Sequence, residues 1–422
     1  MDRSVPPGRV CGTCTPPCSK SYAQRALAAA LLTEGSSLLR NIGSCDDTRS
    51  ALRCIEALGA RVEHIDPHTL RIEGGLHPAG RLLRVGESGL SARLFAPIAA
   101  LHDLPILIEG EGTLLRRPME ILSRTLRMLG ARVSDTDGRL PLEVCGPLQG
   151  GTAEIDGSVS SQFITGLLLA LPLAARESSL RVTRPVSIPY LDMTVATAER
   201  FGVEILHRDY EEFYIAGGQR YRPAEFTIES DWSAAAFLLV AGATAGEVTV
   251  RNLSSLSLQG DKAILTALVR AGAAVTHQGD TITAARRPLR AFRFDATHCP
   301  DLFPALAALA ASAEGVSEIR GTSRLRAKES DRAHALYEEY GRLGIEIDLG
   351  EEDVMKIRGG TIRGGLTRSH DDHRIAMSLA VAALAAEAPV TIAGAGCVSK
   401  SFPDFFETLD ALRAPGASAI DN

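Results

Sequence analysis

The stretch Leu58-Gly59-Ala60-Arg61-Val62 has four echoes: Leu129-Gly130-Ala131-Arg132-Val133, Phe201-Gly202-Val203-Glu204-Ile205, Ala271-Gly272-Ala273-Ala274-Val275 and Leu343-Gly344-Ile345-Glu346-Ile347. Each ends an amphipathic run with an apolar residue, a glycine, a small or apolar residue and, two places on, a β-branched one. Glycine takes the left-handed backbone that stops a helix, and the β-branched residue favours a strand. The phrase predicts a helix-to-strand joint, and the joints lie 71, 72, 70 and 72 residues apart.

A second feature keeps the same period. Ala- and Leu-rich segments, apolar nearly all round, begin near Ser21, Leu90, Ser161, Trp232, Leu302 and His373. Helices of that kind must be buried. Short strand-like runs such as Arg71-Ile72-Glu73, Glu154-Ile155 and Val248-Thr249-Val250 lie between them. Six units of two helices and several strands fill the chain, which suggests two groups of three. The polar tail Ala414 to Asn422 is expected to be mobile. The period alone would also suit a solenoid, so function has to come from particular side chains.

Composition narrows the classes. The 422 residues are 45% hydrophobic and 23% charged, as in a globular protein of two or three domains. A net charge of −6 offers no long-range attraction to nucleic acid or anionic membranes, so any anion site must be local. The longest apolar run, Phe163 to Ala175, contains Gly166 and Pro172 and is too short to span a bilayer. Met1 to Arg9 lacks a signal-peptide stretch, and a cytoplasmic protein is expected. Eight cysteines in this context are expected to be reduced thiols. Cys11, Cys14 and Cys18 include a CxxC, but no second pair or nearby histidine completes a zinc set, so no metal is expected.

The starts of the apolar segments carry more than caps: Ser19-Lys20-Ser21 with Arg25, Glu87-Ser88-Gly89 with Arg93, Ser160-Ser161-Gln162, Pro300-Asp301, and Asp371-Asp372-His373-Arg374. A helix N-terminus is a partial positive charge with open N–H groups, so several together would attract phosphate and carboxylate. Lys20 and Arg374 oppose the helix dipole unless an anion binds there, and breaking a local rule marks a site. Each cation about 4 Å from an anion contributes on the order of 4 kcal/mol before desolvation. Lys20, Arg25, Arg117, Lys328, Arg332, Arg374 and Lys400 are the candidates. Arg324 to Arg332 alternates in charge ahead of a helix from Ala333 to Gly341. Asp301 reads either as an N-cap or as a base, and His373 either as a cap or core histidine or as a catalytic group.

Seven ordered segments resemble the EPSP synthase family of enolpyruvyl transferases: PPCSKSYAQRAL (16–27), GESGLSAR (86–93), RRPM (116–119), DGSVSSQF (156–163), KESDR (328–332), DDHRIAM (371–377) and KSFPDF (400–405). The resemblance implies an α/β (α+β) fold, a two-domain inside-out α/β barrel of six βαβαββ units, three per domain, closing around substrate at a hinge. It implies domains at 14–229 and at 1–13 plus 230–422, the first mainly binding shikimate 3-phosphate and the second completing the phosphoenolpyruvate site, with crossings near 14–15 and 229–230.

The reaction implied is addition of the shikimate 3-phosphate 5-hydroxyl to phosphoenolpyruvate, then loss of phosphate, by a monomer with no cofactor and no nucleic-acid or membrane partner. Shikimate 3-phosphate is expected at Lys20, Ser21, Arg25, Ser160, Ser161, Gln162, Ser187, Asp301 and Lys328. Phosphoenolpyruvate is expected at Lys20, Gly89, Arg117, Gln162, Arg332, Arg374 and Lys400. Asp301, Glu329, Lys20, His373 and Lys400 are the catalytic candidates. The chain departs from familiar members at Glu87, Leu90, Leu94 and Arg324, so sensitivity to glyphosate does not carry over, although Gly89 is kept. The related transferase acting on UDP-N-acetylglucosamine uses a loop cysteine, and no segment here matches that loop.

Overall fold

The computed structural model describes residues 1–413, and the tail Ala414 to Asn422 lies outside them. All five joints form. The helices Asp46–Ala57, Glu120–Met128, Ile188–Arg200, Ile264–Ala271 and Arg332–Arg342 each run into a glycine with φ between 80° and 115°. A strand begins within one residue of the β-branched position each time.

Six buried helices supply the second periodic feature: α1 (Lys20–Leu31), α2 (Gly89–Ala99), α3 (Gln162–Ala170), α4 (Trp232–Ala245), α5 (Phe303–Ala311) and α6 (His373–Ala383). Nearly every residue of each is buried, as sequences without a polar face require. The strands alternate between buried and exposed side chains, so one face of each sheet covers the helices.

The described residues form six sheets, five of four strands and one of three. The four-stranded ones repeat one pattern, a parallel pair extended by two antiparallel pairings. In the smallest, Gly365–Arg368 pairs parallel with Val390–Ala393, and the N-terminal strand Arg3–Val5 closes the other edge antiparallel.

The chain divides into two compact units, Met1–Pro17 with Ser230–Asn422, and Cys18–Glu229, each with its own apolar core and three sheets. The first crossing falls after Pro17, a few residues later than the sequence placed it. The reason is a ladder: Val10–Cys14 pairs with Gly246–Val250 as far as Cys14 against Val250, and Pro17 O then accepts the Asp231 N–H at 2.8 Å. No helix among the described residues is long and apolar enough to cross a membrane.

Candidate active site

In the unit Cys18–Glu229 the sites grow from helix starts. Ser19 caps α1, its Oγ accepting the Tyr22 N–H, so the helix begins at Lys20 rather than Ser21. Lys20 Nζ donates to Asp47 Oδ2 at 2.8 Å. Asp47 stands in the first turn of Asp46–Ala57 and was not singled out by sequence. Its signal, an Asp pair at a helix start, is common to ordinary N-termini.

Arg25 is fully buried, and its four hydrogen bonds go to neutral acceptors: Thr194 Oγ1, Thr165 Oγ1, Tyr190 O and Ser21 O. Burial pulls its guanidinium down to about 10. Ser21 thus contributes its carbonyl to Arg25.

Ser88 caps α2, and Gln24 on α1 accepts the hydroxyls of both Ser88 and Ser91, at 3.1 and 2.9 Å. Gly89 leaves room for Arg117: a Cβ there would stand 2.4 Å from the guanidinium. Arg93 donates to Gln162 Oε1 at 2.7 Å and Pro118 O at 3.1 Å, and lies over the Phe163 ring. Ser160 Oγ accepts the Gln162 N–H at the start of α3, beside the buried Ser161. Ser187, also buried, holds a φ of 54° before Ile188–Arg200.

The unit that includes Ser230 onward gathers its charges more tightly. Asp301 lies in the turn Pro300–Leu302 ahead of α5, whose cap position is Leu302 rather than Asp301. Instead its carboxylate meets Lys328 Nζ at 3.0 Å, Arg332 Nη1 at 2.8 Å and Arg374 Nη2 at 3.3 Å. Burial alone would raise this carboxyl, but Arg374, Lys328 and Arg332 outweigh it and hold it well below the usual carboxylate range. Lys328 is in turn pulled down by its own burial.

Arg332 begins its helix and is buried among carboxylates: Nε and Nη2 on Asp372, Nη1 on Asp301, and Nη2 on Glu329 at 2.7 Å. Its donors are almost fully engaged within the protein. Asp372 caps α6 through the Arg374 N–H and also accepts from Ser330; the sequence marked its segment but gave Asp372 itself no role. His373 is completely buried beside Asp372, with Nδ1 3.8 Å from Oδ1. Lys400, also buried, ends the segment Ala395–Lys400, which packs on α6.

A profile of the EPSP synthase (3-phosphoshikimate 1-carboxyvinyltransferase) family matches residues 5–409. The 3-phosphoshikimate 1-carboxyvinyltransferase of Aeropyrum pernix is 38% identical over 411 residues, covering 97% of this chain and 95% of its own. That of Methanosphaerula palustris is 40% identical over 408 residues, covering 94% and 96%. The structure of EPSP synthase from Acinetobacter baumannii superposes with a TM-score of 0.83 at 28% identity, covering 98% of both chains.

This chain belongs to the EPSP synthase family. It is a carboxyvinyl transferase of the shikimate pathway, the activity that the seven sequence segments implied.

Two departures from familiar family members acquire a physical setting. Glu87 Oε1 accepts the Thr113 N–H at 3.3 Å, in the turn Gly112–Arg116 that leads to Arg117. Arg324 is buried in the turn Thr322–Arg324, and that burial lowers its guanidinium against the opposing pull of Asp301 and Asp353. Leu90 and Leu94 are core residues of α2. Among the described residues, the group of potential metal ligands is Glu338, Glu339 and His370, and the N-terminal cysteines are not part of it.

Proposed function

We propose that this protein joins phosphoenolpyruvate to shikimate 3-phosphate, giving 5-enolpyruvylshikimate 3-phosphate and phosphate. The observation that carries the reading is the Asp301 carboxylate, kept ionised by Lys328, Arg332 and Arg374. A carboxylate held this way is a weak base until anions draw the cations off it. Phosphate on Lys328 and carboxylate on Arg374 would do so, and Asp301 would then accept the 5-hydroxyl proton as that oxygen bonds to the enol carbon. The base becomes competent when both substrates are present.

Glu329 protonates the methylene as the C–O bond forms, and recovers a proton from the resulting methyl group as phosphate leaves. Lys20, Lys400 and His373 stabilise or protonate the departing phosphate. Ser21, Arg25, Ser160, Ser161, Gln162, Ser187, Asp301 and Lys328, with Lys20, take shikimate 3-phosphate. Gly89, Arg117, Gln162, Arg332, Arg374 and Lys400, with Lys20, take phosphoenolpyruvate. The reading includes a cytoplasmic monomer, with Cys18–Glu229 and the remainder serving as the two substrate domains.

Phosphate release followed in chelator tests this directly. Release that requires both shikimate 3-phosphate and phosphoenolpyruvate is expected. Release only with UDP-N-acetylglucosamine, or none while shikimate 3-phosphate binds, would overturn the reading.

A further inference from the structure

The helix Arg332–Arg342 grips the turn that launches α6 at two places. Its first residue, Arg332, holds Asp372 through Nε at 2.7 Å and Nη2 at 3.2 Å. Seven residues on, two turns along and about 10 Å away on the same face, Glu339 holds the beginning of that turn. Glu339 Oε2 accepts the Arg368 N–H at 2.9 Å, and Oε1 meets His370 Nε2 at 2.8 Å. Arg342 Nε lies 3.5 Å from the same carboxylate, and Glu338 Oε2 lies 3.8 Å from His370 Nε2.

Glu339 is completely buried, and a carboxylate there needs donors around it. The turn needs outside support as well, because His370 and Asp371 have φ of 52° and 55°, a region that side-chain-bearing residues adopt at a cost. The Arg368 N–H and the Arg342 guanidinium both face Glu339, so its carboxylate is engaged by N–H donors of the protein itself.

We propose that Glu339 is a positioning residue for the transfer reaction. By fixing Arg368 and His370 it holds Ser369 to Asp372 in the conformation that brings Asp372 to Arg332 and Arg374 to Asp301. The kinetic consequence rests on the assignment of Arg374 to phosphoenolpyruvate made above, whereas the clamp itself does not.

Glu339→Gln keeps the shape and loses one acceptor. It is expected to cut kcat/KM for phosphoenolpyruvate by about tenfold or more, since a displacement on the order of 1 Å costs up to about 10²-fold. Binding of shikimate 3-phosphate should change much less. His370→Ala should behave similarly, while His370→Gln, which keeps a donor near the Nε2 position, should restore most of the loss. Amide hydrogen exchange without substrate should accelerate at Arg368, Asp371 and Asp372 in Glu339→Gln, with the interior of α6 unchanged.

A folded Glu339→Gln protein with wild-type exchange in that turn would overturn the proposal. So would equal loss of both substrates' binding with a uniformly lowered melting temperature, or failure of His370→Gln to exceed His370→Ala. Wild-type protein inert on the two substrates would sink the functional reading alone, and the exchange result would still decide the clamp.

Discussion

Arg25 and Arg332 are both buried arginines near the start of a helix, yet their surroundings are opposite. Arg25, in the unit Cys18–Glu229, is held by hydroxyls and carbonyls, so its charge stays uncompensated within its hydrogen-bond shell. Arg332, in the other unit, faces Asp301, Glu329 and Asp372. Under the proposed function, the first arrangement pre-positions a cation for an anion still to come. The other stores acids and bases in mutual balance, which an arriving anion disturbs. The contrast suits a reaction that must first hold a phosphorylated substrate and then move protons.

The largest expected effect lies on the proton-moving side. Glu329→Gln is expected to lower turnover by about 10²- to 10⁴-fold while shikimate 3-phosphate still binds. Near-normal turnover would leave Glu329 as an ion-pair partner of Arg332 and nothing more.

Stability measurements then separate the two arginines. Arg332→Met takes one cation away from three carboxylates at once and should cost about 3–5 kcal/mol in denaturant unfolding. Arg25→Met loses four hydrogen bonds but also removes a buried charge with no carboxylate among its hydrogen-bond partners, and these offset, so it should cost less, about 1–2 kcal/mol. Its main effect should be weaker binding of shikimate 3-phosphate, read by titration calorimetry. Equal costs for the two variants would erase the distinction.

A smaller effect should follow Gly89→Ala, whose new Cβ would stand 2.4 Å from the Arg117 guanidinium. The arginine end must shift, so KM for phosphoenolpyruvate is expected to rise about tenfold with shikimate 3-phosphate affinity kept. A steady-state titration of each substrate checks this.

A pH-dependent effect tests how complete the charge balance is. Asp261 is buried, accepts from the Ser233 hydroxyl through one oxygen, and has no hydrogen-bond partner on the other among the described residues. Burial, then the nearby Asp301, push its carboxyl up to about 7. A raised carboxyl favours the folded state fully below its ordinary value of 3.8, and that advantage is lost as pH rises through about 7. Asp261→Asn should therefore melt higher than wild type at pH 8, and the gain should vanish near pH 4. A pH-independent difference would mean that Asp261 is already ionised in the folded protein.

How much of this was legible in the sequence depends on the range of the interaction. The joints were legible because a helix stop and a strand start are local, and the buried helices because a segment with no polar face has only one place to go. The cations at helix starts stood out because their phase repeats. What escaped were partners chosen by tertiary packing. Asp47, Asp372 and Glu339 look like ordinary helix acids until Lys20, Arg332 and Arg368 arrive beside them. Asp301 looked equally like a cap, and only the folded chain shows its side chain turned to three cations instead. The crossing after Pro17 depends on a ladder with Gly246–Val250, more than 230 residues away in sequence.

That ladder also imposes an order on the newborn chain. Arg3–Val5 and Val10–Cys14 leave the ribosome well before their partners Val390–Ala393 and Gly246–Val250. At roughly 5–20 residues per second the earliest strand waits on the order of tens of seconds, while Cys18–Glu229, complete and contiguous, is free to fold. Each strand edge is therefore exposed until its partner has been translated. The prolines at 6, 7, 16 and 17 that bracket them limit the wrong pairings such edges invite.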